Sequence, residues 1–154
     1  MAARLEFYKL APEGMAHMTA LEHTLNSTTG MERVLLELVR LRASLRNGCE
    51  YCIQLHSTEL RKMHEPEERI ADLAEWQGSS AYTQRERSAF AWTEAVTNIQ
   101  DGHADDAVYA QVREHFSDVE TVNLTLVITT INAWNRLAIS LGDYPGHAGG
   151  AVAK

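Results

Sequence analysis

Three times in this chain a Ser or Thr is followed three residues later by Glu, just ahead of apolar residues at helical spacing: Thr29-Gly30-Met31-Glu32, Thr83-Gln84-Arg85-Glu86 and Ser117-Asp118-Val119-Glu120. In such a capping box the hydroxyl accepts from the backbone N–H three residues on, and the carboxylate reaches back to the N–H of the cap, so each box predicts a helix start. The first is expected to open a helix carrying Val34, Leu35, Leu38, Val39, Leu41 and Leu45. Apolar around most of its circumference, that helix should be central. The second leads into Ala89, Phe90, Ala95, Val96 and Ile99, with Asp101-Gly102 as the stop. The third opens the last long helix, through Val122, Leu126, Val127, Ile131, Trp134 and Ala138 to Gly142.

The other segments fit the same plan. After a short irregular start, Pro12 suits a first helical position ahead of Met15, Met18, Leu21 and Leu25, and residues 26–30 read as a loop. Asn47-Gly48 ends the central helix and frees a new one over residues 49–63. Pro66 starts a short helix with Ile70, Leu73 and Trp76, ended near Gly78, and Asp105-Asp106 favours a helix start before Tyr109, Val112 and Phe116. Residues 125–131 are rich in β-branched side chains, but their length and the lack of any partner strand decide for helix. The fold class is therefore all-α. One domain is expected over residues 1–142, with a loosely held tail over 143–154 containing Pro145, Gly146, Gly149 and Gly150.

A chain of 154 residues can bury a sizeable core without disulfide staples. Its formal net charge of −7 argues against a nucleic-acid partner, because its densest basic group, Arg33, Arg40, Arg42, Arg46 and Arg61, is interspersed with acids. Residues 1–10 carry Arg4, Glu6 and Lys9 and lack the apolar run of a secretory signal. The longest apolar charge-free segment, 121–135, is shorter than the roughly 18 residues that span a bilayer. A cytoplasmic protein with no membrane partner is expected.

Chemistry concentrates in Cys49-Glu50-Tyr51-Cys52-Ile53-Gln54-Leu55-His56, which holds both cysteines of the chain. On a helix, Cys49 and Cys52 share a face and His56 lies one turn beyond Cys52. In a reducing compartment a C-x-x-C pair is redox-active or metal-binding more often than structural. A thiol in the first helical turn feels unpaired N–H groups and the positive end of the helix dipole, which by itself favours Cys49 as the more acidic sulfur. A thiolate beside a second thiol can attack a peroxide, become a sulfenic acid, and be resolved to a disulfide. His56 is one candidate proton acceptor and Glu37, set among Val34, Leu38 and Leu41, is another; Glu37 pairing with Arg33 or Arg40 at helical spacing stands at even odds with that role. Zinc is disfavoured because no second ligand pair exists. A thioredoxin-type motif is disfavoured because no strand precedes the cysteines.

Glu37 followed by Cys49-x-x-Cys52-x-x-x-His56, with Arg42, Ser44, Asn47 and Gly48 between, resembles the alkylhydroperoxidase D-like core of the carboxymuconolactone decarboxylase superfamily. Residues 83–97 and Asn132-Ala133-Trp134-Asn135-Arg136-Leu137 resemble its short, single-core members, so the likeness runs over residues 10–141. It implies an all-helical bundle and a thiol-dependent peroxidase of the antioxidant type. Cys52 would be peroxidatic, Cys49 its resolving partner and proton donor, and Glu37 with His56 the proton relay. It implies no bound cofactor beyond the redox-active disulfide, a hydroperoxide substrate, an external thiol or dihydrolipoamide-type dithiol as reductant, and a homo-oligomer, a hexamer built on trimers or dimers. One departure is Tyr51, where characterised hydroperoxidases carry histidine; a phenol with pKa near 10 is a poor base near neutrality, so slower turnover is expected. The name-giving branch, a lactone decarboxylase, is the runner-up, and its members generally lack the cysteine pair. A redox sensor that oxidises once per chain is the third reading. Trp134 reads as core and Arg136 as an interface ion pair.

Overall fold

A computed structural model of the chain describes residues 3–142. Eight α-helices are present among them: α1 Phe7–Leu10, α2 Pro12–Thr28, α3 Arg33–Asn47, α4 Glu50–Lys62, α5 Glu67–Asp72, α6 Gln84–Thr97, α7 Asp106–Arg113 and α8 Asp118–Leu141. A 3-10 segment, Leu73–Gly78, continues α5, and no strand occurs among the described residues. The bundle is all-α, as the sequence predicts, and residues 125–131 lie inside α8. The tail expected over 143–154 lies outside the described residues.

Helix α3 is the axis. It packs against α4, α6 and α8, and every residue from Leu35 to Ser44 is buried. Leu35, Leu36 and Val39 join Ala89, Trp92, Val112, Leu124 and Ile128 in one apolar core, while Leu38 and Leu41 meet Leu60, Leu73, Trp76 and Phe90 in a second. Burying each such side chain contributes about 1.5–3 kcal/mol, so the helix common to both cores ties the bundle together.

Two of the three capping boxes form. Thr83 Oγ1 accepts from Glu86 N at 3.2 Å and Ser117 Oγ from Glu120 N at 3.2 Å, with both glutamates answering the cap N–H at 2.8 Å. The box at Thr29 does not form. Gly30 takes a left-handed conformation (φ 70°), which interposes a turn, and Thr29 Oγ1 accepts from Met31 N instead. Helix α3 therefore starts at Arg33 with no side-chain cap.

The expected loop over 26–30 is shorter than predicted because α2 runs to Thr28, where Ser27 and Thr28 hydroxyls donate to the carbonyls of His23 and Thr24. Helix α6 ends at Thr97, before Ile99, which is exposed. The expected irregular start holds over residues 3–6, which are nonetheless anchored. Arg4 N donates to Leu141 O at 2.6 Å, Arg4 Nη1 to Ser140 O at 3.3 Å, and one helical turn, α1, follows. A single turn leaves no periodicity to read and depends on tertiary contact for its stability.

Candidate active site

The turn between α3 and α4 sets the site. Gly48 adopts φ 68°, a conformation that costs little without a Cβ, and Cys49 N donates to Ser44 O at 3.1 Å. This αL stop lets α4 begin at once. Cys49 is its cap and not a first-turn residue, its Sγ accepting from Cys52 N at 3.3 Å. The two Cα atoms are 5.3 Å apart, and a disulfide joins Cys49 to Cys52. Both cysteines are buried.

One turn along α4, His56 Nδ1 lies 2.8 Å from Glu37 Oε2 on α3. Glu37 Oε1 also accepts from Arg40 Nη1 at 2.6 Å, the ion pair that helical spacing allows. Arg40, only 1% exposed, turns its other terminal nitrogen to Glu22 Oε1 (2.7 Å) and Asn26 Oδ1 (2.8 Å) on α2. Burial pushes the Glu37 carboxyl up, but the His56 hydrogen bond and the nearby His56 and Arg40 charges outweigh it and hold the carboxyl below its usual value. An ionised Glu37 can only accept. Nδ1 of His56 therefore carries a proton and donates it, leaving Nε2 free to exchange a proton with a partner.

A cavity of about 230 Å³ opens on this group. Cys52 and His56 form part of its wall, with Tyr51 and Leu55 from α4, Phe7 and Tyr8 from α1, and Ile131 and Trp134 from α8. Trp134 is half-buried and faces this space, which corrects the expectation that it belongs to the core. Helix α8 places an apolar ring opposite the cysteine helix. Arg136 is exposed and donates to Asn132 O and Oδ1 within its own helix.

Sequence reasoning missed a polar network beside the site. Asn47 Nδ2 donates to Asn132 Oδ1 (2.9 Å) and Asn135 Oδ1 (2.8 Å), while Asn135 Nδ2 donates to Ser44 Oγ (3.1 Å). A signal was present. Glu37, Arg40, Ser44 and Asn47 recur at spacings of three, four and three along the helix, which aligns them as one polar stripe. Among the described residues no group of three His, Cys, Asp or Glu side chains could hold a metal ion. No described helix is long and apolar enough to cross a membrane.

The profile of the carboxymuconolactone decarboxylase family matches residues 12–95, which include Glu37, Cys49, Cys52 and His56. The uncharacterized protein YdfG of Bacillus subtilis is 37% identical over 143 residues, 93% of this chain and 97% of its own. A crystal structure from Agrobacterium tumefaciens, described as a protein of unknown function and a candidate AhpD antioxidant-defence protein, superposes with a TM-score of 0.88 at 37% identity, covering 92% of this chain and 97% of that one. The debrominase Bmp8, solved with 2,3,4-tribromopyrrole, shares the fold with a TM-score of 0.79 at 18% identity, over 88% of this chain and 72% of its own.

Proposed function

The chain belongs to the carboxymuconolactone decarboxylase family, and from that premise we propose that it is a thiol-dependent peroxidase, reducing hydroperoxides through a dithiol/disulfide cycle of Cys49 and Cys52. One observation carries this: a disulfide-forming pair whose second cysteine borders a cavity shared with His56, itself bonded to an ionised, buried Glu37. Access favours Cys52 as the attacking sulfur. Cys49 Sγ, tied to the N–H of Cys52, suits the resolving role.

In the dithiol state His56 Nε2 takes the Cys52 proton, and Glu37 stabilises the resulting imidazolium. The thiolate attacks the outer peroxide oxygen: an S–O bond forms, the O–O bond breaks, sulfur loses two electrons, and the departing alkoxide takes the proton from His56 to leave as alcohol. Cys49 sulfur then attacks Cys52, the sulfenic hydroxyl leaves as water with the Cys49 proton, and the disulfide closes. An external dithiol of the dihydrolipoamide type reopens it by exchange. No bound cofactor takes part. Tyr51 borders the same cavity.

Peroxide consumption with excess dihydrolipoamide, run beside Cys52→Ser and Cys49→Ser, tests this. The expected result is repeated turnover, lost in both variants, with a trappable sulfenic acid surviving in Cys49→Ser. Turnover indifferent to both substitutions would remove the thiol mechanism, and a single oxidation per chain would make the protein a sensor. A second reading, reductive dehalogenation of small aryl halides, is favoured by the aromatic wall beside the cysteine pair; there the dithiol supplies two electrons and hydrogen replaces the halide. Bromide release from 2,3,4-tribromopyrrole without peroxide would decide for it.

Association with further copies of the chain, to a hexamer built on trimers or dimers, is part of the proposal. Val119, Val122 and Leu126 form an exposed apolar stripe on α8, near exposed Tyr109. Light scattering at micromolar concentration should return a multiple of the chain mass, and Val122→Asp should lower it.

A further inference from the structure

The N-terminal segment is built into the cavity that Cys52 borders. Phe7 is 5% exposed although Leu5 and Leu10, on either side of it, are more than half exposed, so this segment turns one aromatic pair inward and little else. The Phe7 and Tyr8 rings lie 4.9 Å apart, and Tyr8 stacks on Trp134 with centroids 6.2 Å apart and planes within 15°. Hydrogen bonds from Arg4 to Leu141 and Ser140 and from Leu5 N to Leu141 O moor the segment to the end of α8. Phe7 and Tyr8 thus roof a cavity that they share with the apolar Leu55, Ile131 and Trp134, while Thr19, Glu22, Cys52 and His56 supply polar groups to its wall.

Size narrows what fits. About 230 Å³ falls below the roughly 300–1,000 Å³ of pockets for drug-sized ligands, yet exceeds the roughly 150 Å³ apolar cavity that accepts a benzene ring. We infer that Phe7 and Tyr8 are the specificity-determining residues of this site and select a compact hydroperoxide with a single aryl ring, seated between the roof and Trp134 with its peroxide group at Cys52. The inference rests on the peroxidase reading for its reaction: an aryl-alkyl hydroperoxide gains two electrons from Cys52 and leaves as the alcohol. Hydrogen peroxide, with no apolar part, gains nothing from the roof.

The test uses the full chain and the variants Phe7→Ala/Tyr8→Ala and Tyr8→Ala, assayed with cumene hydroperoxide and hydrogen peroxide under excess dithiol. Losing buried aromatic contact should lower the ratio of kcat/KM for cumene hydroperoxide to that for hydrogen peroxide about tenfold or more in the double variant, and less in the single one. Equal losses on both peroxides, or none on cumene hydroperoxide, would overturn the inference. Binding of 2-phenylpropan-2-ol to the oxidised protein, followed by calorimetry, gives a readout without turnover. Wild type that reduces neither peroxide yet binds this alcohol, about tenfold more tightly than the double variant, would fail the peroxidase reading and keep the aryl site; no binding, or binding indifferent to the roof, would overturn the site itself.

Discussion

Helix α3 has two kinds of buried surface, and they do different work. Its flanks, Leu35, Leu36 and Val39 on one side and Leu38 and Leu41 on the other, lie in apolar cores where neighbours need only fill space. Its polar stripe, Glu37, Arg40, Ser44 and Asn47, is equally hidden over its first three residues, but each member is bound to a named partner on α2, α4 or α8. Burying charge costs several kcal/mol per ion before pairing recovers it, so the stripe is a poor way to gain stability. The difference teaches where to look for chemistry: the flanks hold the bundle, and the stripe holds His56, which shares a cavity wall with Cys52.

The sharpest way to break that division is Glu37→Gln. Removing the charge that orients His56 should lower peroxidase kcat/KM by about 10²–10⁴-fold, the usual scale of acid/base assistance, while the protein stays folded. A loss of activity explained by unfolding would return Glu37 to the flanks. The same variant carries a pH signature. The folded pKa of Glu37 lies below its ordinary 4.5, so its ionised form contributes stability above that value, and the contribution is lost as pH falls through the lower folded pKa. Wild type should therefore lose stability faster than Glu37→Gln as the pH drops below about 4.5, in denaturation curves taken across that range; parallel losses would mean that the fold does not lower the Glu37 pKa.

Next in size is the neighbouring flank. Leu38 is fully buried against Leu60 and Phe90, and Leu38→Ala should cost about 2–5 kcal/mol in denaturant unfolding. Its kcat/KM per folded molecule should match wild type. A specific loss of activity would show that the apolar flank also positions the site, and the two surfaces of α3 could no longer be separated.

How much of this was legible depends on the range of the physics. The boxes at Thr83 and Ser117 were readable because a cap is decided within four residues, and the same pattern at Thr29 misled because Gly30 took a left-handed turn inside it. Glu37 and His56 were brought together only by what the family resemblance implies, and the structure joins them at 2.8 Å. Phe7, Tyr8 and Trp134 could not be placed in a common wall by any local rule, since α1 and α8 lie far apart in sequence and meet through tertiary contacts such as the hydrogen bonds to Leu141 and the stacking of Tyr8 on Trp134. The pairing of Asn47 with Asn132 and Asn135 likewise spans more than eighty residues; only the spacing of the stripe hinted at it.

The lower half of the stripe refines the comparison. Asn135 accepts from Asn47 and donates to Ser44 with its side chain fully buried, and neither bond reaches Glu37 or His56. Asn135→Ala should cost about 1–3 kcal/mol by leaving buried groups unpaired, with the pH dependence of turnover unchanged. A shifted pH profile would extend the relay through the asparagines and make the stripe one functional unit from Glu37 to Asn47.

The smallest effect serves as the distant control. Ser117→Ala removes the hydroxyl that receives Glu120 N at the start of α8, but leaves Glu120 accepting from Ser117 N and from Arg85. A lost cap costs about 1 kcal/mol, which for a chain of this length lowers Tm by about 2–4 °C. Peroxidase kcat/KM should not change, because several helical turns separate the cap from Trp134 and Asn135 and the intervening Leu124, Val127 and Ile128 are fixed in the core. If activity fell with so small a loss of stability, α8 would be shifting as a rigid rod, carrying Trp134 away from Cys52, and the cavity wall would then depend on the helix end as much as on the stripe that faces it.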